Sequence, residues 1–218
     1  MWYVRAVRVV VCDVGLGNLR SVERALREAA RGARVDVEIT EEPGRVRHAD
    51  ALVMPGQGGF ADCARALAAD LGTAVRQHLE AQRPYLGICL GLQVLFESSE
   101  EAPGSAGLGV LGGAVVRLPR GEDAMTGTLK IPHVGWNTVE PVAGARSLLP
   151  PEPTHFYFVH SYVIAPAPTT GPSVVCGWTE YGVRFPSAIA RGNLFACQFH
   201  PEKSQRAGLA LLERFLAS

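Results

Sequence analysis

Five residues, Gly87-Ile88-Cys89-Leu90-Gly91, place a nucleophile between glycines. This is the G-x-Nuc-x-G pattern of an elbow, where a strand turns sharply into a helix. Such a turn forces unusual backbone angles on the nucleophile, and small residues two positions to either side let strand and helix pack closely around it. The helix that follows aims its N-terminal dipole and free N–H groups at the sulfur, which favours thiolate over thiol. The chemistry would be attack of sulfur on an acyl carbon. The elbow by itself does not separate that reading from a buried cysteine in a glycine-rich turn.

A thiolate nucleophile needs a proton carrier for the leaving group, and the carrier needs an orienting partner. Gln198-Phe199-His200-Pro201-Glu202 supplies both: His200 at a strand end, Glu202 two positions on, and Pro201 stiffening the pair. His48, His78 and His155 have no such setting and read as ordinary surface or core histidines. A metal reading of His200 and Glu202 lacks a third ligand at sensible spacing. Acyl chemistry also needs donors for an oxyanion, and the glycines of Pro55-Gly56-Gln57-Gly58-Gly59 would let backbone N–H groups come close. The bland alternative there is a mere strand-to-helix turn. One competing motif, Gly15-Leu16-Gly17-Asn18-Leu19-Arg20, nearly matches a dinucleotide fingerprint, but Arg20 fills the place of the third glycine and would obstruct helix–strand packing.

The elements needed to position these residues follow a βαβ alternation. Val7–Cys12 is Val-rich and continuous, as a parallel strand covered on both faces should be. Leu19, Val22, Leu26 and Ala29 recur at helical spacing, with Glu23, Arg24, Arg27 and Glu28 between them, and this helix ends near Gly32. Strands are predicted at 35–39, 51–54 and 85–89. Helical spacing runs from Phe60 to about Leu79 with a break near Gly72, and Leu92, Leu95 and Phe96 predict a helix after the elbow. From Gly104 to Val183 short apolar runs alternate with Gly, Pro and Thr, which predicts hairpins, with strands near Val115, 156–163 and 174–178. A strand at 194–199 returns to the core, and Leu209, Leu212, Phe215 and Leu216 mark a terminal helix. The expected fold class is α/β: one domain over 1–218, with a mixed, largely parallel central sheet and an antiparallel addition in the second half.

Composition narrows the partners. The chain has 218 residues, 47% hydrophobic, with 21 basic and 21 acidic side chains. At that length a chain buries roughly 70% of its unfolded surface and needs no disulfide or metal staple. Balanced charge gives no long-range attraction to phosphates, so nucleic acid and anionic membranes are not expected partners. No stretch reaches the roughly 20 apolar residues of a membrane helix. Arg5 and Arg8 interrupt the apolar start, so it reads as a first strand rather than a leader. Five widely spaced cysteines without a C-x-x-C pair imply reduced thiols in the cytoplasm.

Gly87-Ile88-Cys89-Leu90-Gly91-Leu92-Gln93 together with His200-Pro201-Glu202 resembles the class I, triad-type glutamine amidotransferases over essentially the whole chain. Four further segments resemble the subfamily of glutaminase subunits of imidazole glycerol phosphate synthases, in histidine biosynthesis. They are Gly17-Asn18-Leu19-Arg20-Ser21-Val22, Pro132-His133-Val134-Gly135-Trp136-Asn137, His160-Ser161-Tyr162 and His200-Pro201-Glu202-Lys203-Ser204-Gln205. The resemblance implies a three-layer, flavodoxin-like α/β/α domain, hydrolysis of L-glutamine without a cofactor, and delivery of ammonia to a separate (β/α)₈-barrel cyclase subunit. It implies that Cys89 attacks the carboxamide, giving a γ-glutamyl thioester, that His200 shuttles the proton and that Glu202 orients His200. Gln93 and backbone groups near Leu90 and Gly58 would hold glutamine, and the strand Pro55–Gly58, with Gly56 and Gln57, would supply oxyanion N–H groups after rearranging. Gly17, Asn18, Trp136, Asn137 and Lys203 would lie at the interface near the ammonia passage; a core aromatic is the alternative for Trp136. Val14 stands where such relatives usually carry tyrosine, and the loop from Arg117 to Thr128 is particular to this chain. A glutaminase serving another synthase, such as that making pyridoxal phosphate, and a binding module that has lost the reaction remain as rivals. Lys203-Ser204-Gln205 weighs against the first, and the intact Cys89, His200 and Glu202 against the second.

Overall fold

The computed structural model describes residues 6–119, 129–145, 147–170 and 174–218. The first half runs β1 (Val7–Cys12), α1 (Leu19–Ala29), β2 (Val35–Thr40), α2 (Pro43–Arg47), β3 (Ala51–Met54), α3 (Phe60–Ala66), α4 (Asp70–Glu80), β4 (Tyr85–Ile88) and α5 (Leu90–Gln93). The second half is mostly strand: β5 (Ser98–Ser99), β6 (Gly113–Arg117), β7 (His133–Pro141), β8 (Thr154–His160), β9 (Tyr162–Pro166), β10 (Val175–Glu180), β11 (Arg184–Arg191) and β12 (Leu194–Cys197), closed by α6 (Gln205–Leu216). Residues 1–5 and most of the loop that ends at Thr128 lie outside the described residues.

Nine strands share one sheet in the order β2-β1-β3-β4-β12-β11-β10-β7-β8, and β5, β6 and β9 form a small second sheet. From β2 to β12 every neighbour is parallel. From β12 to β8 every neighbour is antiparallel. Parallel strands need crossover helices, which cover both faces, and β1 shows the result: Val9, Val10, Val11 and Cys12 are all fully buried. Alternate side chains point to opposite faces. Val9 and Val11 therefore join Val22 and Leu26 of α1 and Leu211, Leu212 and Phe215 of α6. Val10 and Cys12 join Val46 of α2, Phe60 of α3 and Val75 of α4 on the other side. Two separate cores on one sheet make the three layers, and each fully buried valine or leucine adds about 1.5–3 kcal/mol.

The structure departs from the periodicity in four places. The break between α3 and α4 falls at residues 67–69, and Gly72 lies inside α4. A Cβ at Gly72 would overlap the Leu67 carbonyl, so this glycine marks a close crossing rather than a helix end. The helix after the elbow is a single turn, because the carbonyls of Val94, Leu95 and Phe96 accept from Leu108, Leu111 and Gly109 of the following loop. The run 156–163 breaks at Ser161, with β8 in the large sheet and β9 in the small one. Finally α2, β5, β7 and β11 have no counterpart in the periodicity; β7 fully buries only His133 and Val139, and β11 carries Pro186.

Candidate active site

β4 and β12 adjoin as a parallel pair at the centre of the large sheet and end at the same rim, and beyond β12 the pairing turns antiparallel at β11. Cys89 follows directly on β4, with φ 53° and ψ −105°. Its N–H donates to Cys197 O at 2.7 Å, so the strand pairing continues into the turn and holds the unusual angles in place. The flanking glycines do what the pattern requires. A Cβ at Gly87 would lie 2.5 Å from Gly91 O and 2.9 Å from Ala196 Cβ, and one at Gly91 would overlap the Met54 carbonyl oxygen. The buried Tyr85 hydroxyl donates to Gly91 O at 2.8 Å and fixes the same turn.

His200 arrives from β12. Its N–H donates to Tyr157 O of β8 at 2.9 Å. Ser204, itself buried, donates through Oγ to His200 O at 2.6 Å and accepts from Tyr157 N at 3.0 Å, clamping the His-Pro-Glu turn onto β8. The His200 and Glu202 side chains are 1% and 3% exposed, with Nδ1 to Oε1 at 2.7 Å. A carboxylate only accepts, so Nδ1 carries a proton and Nε2 is left for chemistry. Nε2 is buried and makes no hydrogen bond of ordinary geometry. Burial alone would push the His200 pKa down; the nearby Cys89 sulfur and Glu202 carboxylate outweigh it and raise the pKa to about 9.

A cavity of about 340 Å³ opens beside the sulfur, and Gln57, Gly58, Leu90, Gln93 and Lys203 line it with Cys89. Gly56 instead packs against Leu90, whose side chain a Cβ would overlap. Gly58 has φ +143°, a backbone that L side chains rarely adopt, and a Cβ there would meet Leu16 Cδ2 at 3.1 Å. Gly17 backs the same segment, with its hypothetical Cβ 3.1 Å from Gln57 N. Asn18 is exposed and caps α1, accepting from Ser21 N at 3.2 Å. Trp136 is 46% exposed on β7, edge-on to Tyr157 with ring centres 6.0 Å apart, which overturns its alternative reading as a core aromatic. Asn137 is partly buried; its Nδ2 donates to Glu180 O at 2.8 Å and its Oδ1 accepts from Thr138 N at 2.7 Å. His78, one of the histidines set aside, is a core residue with Nε2 3.0 Å from Pro84 O. Among the described residues, no group of three His, Cys, Asp or Glu is placed to hold a metal ion.

Sequence reasoning gave no role to a polar network behind the cavity. Tyr162 O accepts from His160 Nδ1 at 2.9 Å and from Gln93 Nε2 at 3.2 Å. His160 Nε2 in turn lies 3.0 Å from His133 Nδ1, and His133 stacks between Phe158 and Tyr181. Burial, then the proximity of His133, pushes the His160 pKa down to about 3, and burial pushes His133 down to about 4, so both rings are neutral at pH 7. Gln198 is fully buried, with Oε1 accepting from Gln93 Nε2 at 3.0 Å and Nε2 3.5 Å from Cys89 Sγ. The available signal was polarity inside an apolar strand end, Phe195-Ala196-Cys197-Gln198-Phe199, where an amide is buried only if it is paired.

The chain thus brings an elbow cysteine and a carboxylate-held histidine to one rim of an α/β sheet. The family described as Glutamine amidotransferase class-I matches residues 10–218, and the chain belongs to that family. Within it, the chain is 48% identical over 211 residues to the imidazole glycerol phosphate synthase subunit HisH of Nitrosococcus oceani, covering 95% of this chain and 96% of that one. It is 46% identical over 209 residues to the subunit of the same name from Moorella thermoacetica, covering 95% and 93%. A solved structure titled as a glutamine amidotransferase shares the fold, with TM-score 0.69 at 21% identity over 96% of this chain and 97% of that one.

Proposed function

We propose that this chain is the glutaminase subunit of a cytoplasmic imidazole glycerol phosphate synthase, hydrolysing L-glutamine and passing the ammonia to a (β/α)₈-barrel cyclase subunit. The observation that carries the reading is that Cys89, held at positive φ on the cavity, lies close enough to His200 to raise its pKa, while Glu202 fixes His200 Nδ1 at 2.7 Å. His200 Nε2 takes the Cys89 proton, and the sulfur attacks the carboxamide carbon. As the tetrahedral intermediate collapses the C–N bond breaks, and Nε2 returns the proton to the leaving ammonia. The resulting γ-glutamyl thioester is then attacked by water, which His200 deprotonates, releasing glutamate and restoring the thiol. The raised pKa of His200 suits it to hold that proton between steps.

Gln57 and Gly58 lie where backbone donors would face the oxyanion, and Gln93, Leu90 and Lys203 line the space for the rest of glutamine. Exposed Val134 and Trp136 on β7, with the exposed turn at Gly17 and Asn18, offer the cyclase a surface beside the cavity mouth. The HisH names of the relatives favour this synthase over one making pyridoxal phosphate. The test is glutamate release by the chain alone and with the cyclase loaded with its ribonucleotide ligand. Strong stimulation by the loaded cyclase, abolished by Cys89→Ala while the complex still forms, is the expected result. An active Cys89→Ala variant would overturn the nucleophile, and release indifferent to the cyclase would overturn the partner.

A further inference from the structure

We propose that Gln198 is a positioning residue for the nucleophile, aiming an amide N–H at Cys89 Sγ through a chain of hydrogen bonds that allows only one orientation. The proposal rests on the reading of Cys89 as nucleophile. Its logic starts at Tyr162 O, which as a carbonyl can only accept. The Gln93 amide atom facing it at 3.2 Å must therefore be Nε2. That nitrogen's second hydrogen points at Gln198, so Gln198 presents Oε1 to it, at 3.0 Å. With its oxygen committed, Gln198 can turn only Nε2 toward the sulfur, 3.5 Å away. The order of donors is thus fixed by the peptide carbonyl at the far end, not by a choice between the two look-alike ends of each amide. His160 Nδ1–H, on the same Tyr162 O, anchors that end.

The consequence for the sulfur follows from the charge it must carry. An N–H donor is satisfied by either form of sulfur but favours the charged one, since charge-assisted hydrogen bonds are the stronger. It also occupies one side of Sγ as acceptor, while the thiol as donor faces Val159 O at 4.0 Å. The amide is neutral and fully buried, so the site gains a donor without gaining another titrating group. The titratable groups around Sγ are His200, Glu202 and Cys197, with His160 behind His200, and Glu101, Tyr162 and Lys203 line the cavity that the sulfur faces. Gln198 faces the sulfur among them without changing its own charge.

The test is the pH dependence of Cys89 alkylation by iodoacetamide in the full chain, read by mass spectrometry, with Cys89→Ala as the control for labelling elsewhere. Gln198→Met keeps the side chain's length and removes the donor. We expect alkylation at pH 7 to fall about tenfold and the pH of half-maximal labelling to rise by about one unit. In the cyclase complex kcat should fall by a similar factor, with KM for glutamine nearly unchanged. Gln198→Glu keeps the acceptor for Gln93 and puts an oxygen where the N–H was; its labelling profile should move up at least as far, which keeps the proposal open to disproof if the Met variant does not fold. A wild-type profile in either folded variant would overturn the proposal and leave the nucleophile intact. Absence of labelling at Cys89 in the wild-type chain would take down the nucleophile reading and this one with it.

Discussion

On the β4 side of the β4–β12 seam the site is held by backbone that has no room to move; on the β12 side it is held by hydrogen bonds. At the elbow, the Met54 carbonyl and Gly91 lie so close that a single methyl group does not fit, and the Cys89 N–H is locked to Cys197 O. Across the seam, His200 owes its place to Ser204 and Glu202, and the cavity's back wall owes its shape to Tyr162 O, His160 and His133. The difference teaches where each kind of rigidity is of use. A strained nucleophile needs steric walls, whereas groups that exchange protons need partners of defined donor and acceptor sense.

The comparison can be broken most severely at Gly91. Gly91→Ala should abolish glutaminase activity and lower stability by more than the about 1–3 kcal/mol typical of overpacking, because the clash is with backbone. Normal turnover and an unchanged urea midpoint would show that the wall on the β4 side is soft.

The next test uses the opposite senses of two histidines. His160 has its pKa lowered from 6.5 to about 3, so its neutral form is favoured by folding; the stability tied to it is fully present above about 6.5 and is lost as pH falls from there toward about 3. His200 has its pKa raised to about 9, so its contribution is fully present below about 6.5 and is lost as pH rises through 9. The stability gap between wild type and His160→Gln should therefore narrow on acidification, and the gap to His200→Gln should narrow on alkalisation, each by at most about 1.4 kcal/mol per pH unit. Urea unfolding from pH 4 to 9 reads both, and gaps that stay constant would mean that these rings are not held in the forms assigned.

Ser204→Ala should have a smaller effect. It strands a buried N–H of Tyr157 and removes one partner of His200 O, for a loss of about 1–3 kcal/mol, with a roughly tenfold fall in kcat as His200 loosens. An unaltered kcat would show that Glu202 alone positions the ring. Trp136→Ala should have the least effect on the isolated chain, within about 0.5 kcal/mol, since the ring is half exposed. A large stability loss would move Trp136 from the outer surface back into the fold.

What could be read from the sequence follows the same division. The inner parallel strands β1 and β3 announce themselves because burial on both faces leaves little but Val, Leu, Met, Ala and Cys, and the elbow announces itself because two glycines are the only residues that fit. The antiparallel strands are less legible: β7 is half exposed, with Gly135, Trp136 and Asn137 in its middle, and shows neither a continuous run nor a clean alternation. The roles of Gln198, His160 and Ser204 escape notice because they depend on partners distant in sequence. Gln198 and Cys89 are 109 residues apart, and no local pattern joins them. Asn18, expected near the interface, is exposed and also caps α1.

The seam also sets a clock. β4 leaves the ribosome with one edge paired to β3 and the other waiting for β12, about a hundred residues later. At about 5–20 residues per second the wait lasts roughly 5–20 seconds. During it Cys89 has neither Cys197 O to hold its turn nor His200 to receive its proton, so the nascent chain carries an ordinary thiol beside an open apolar edge. That interval, in which the growing subunit is harmless to acyl groups but open to wrong strand pairing, is where a chaperone would matter most to this protein.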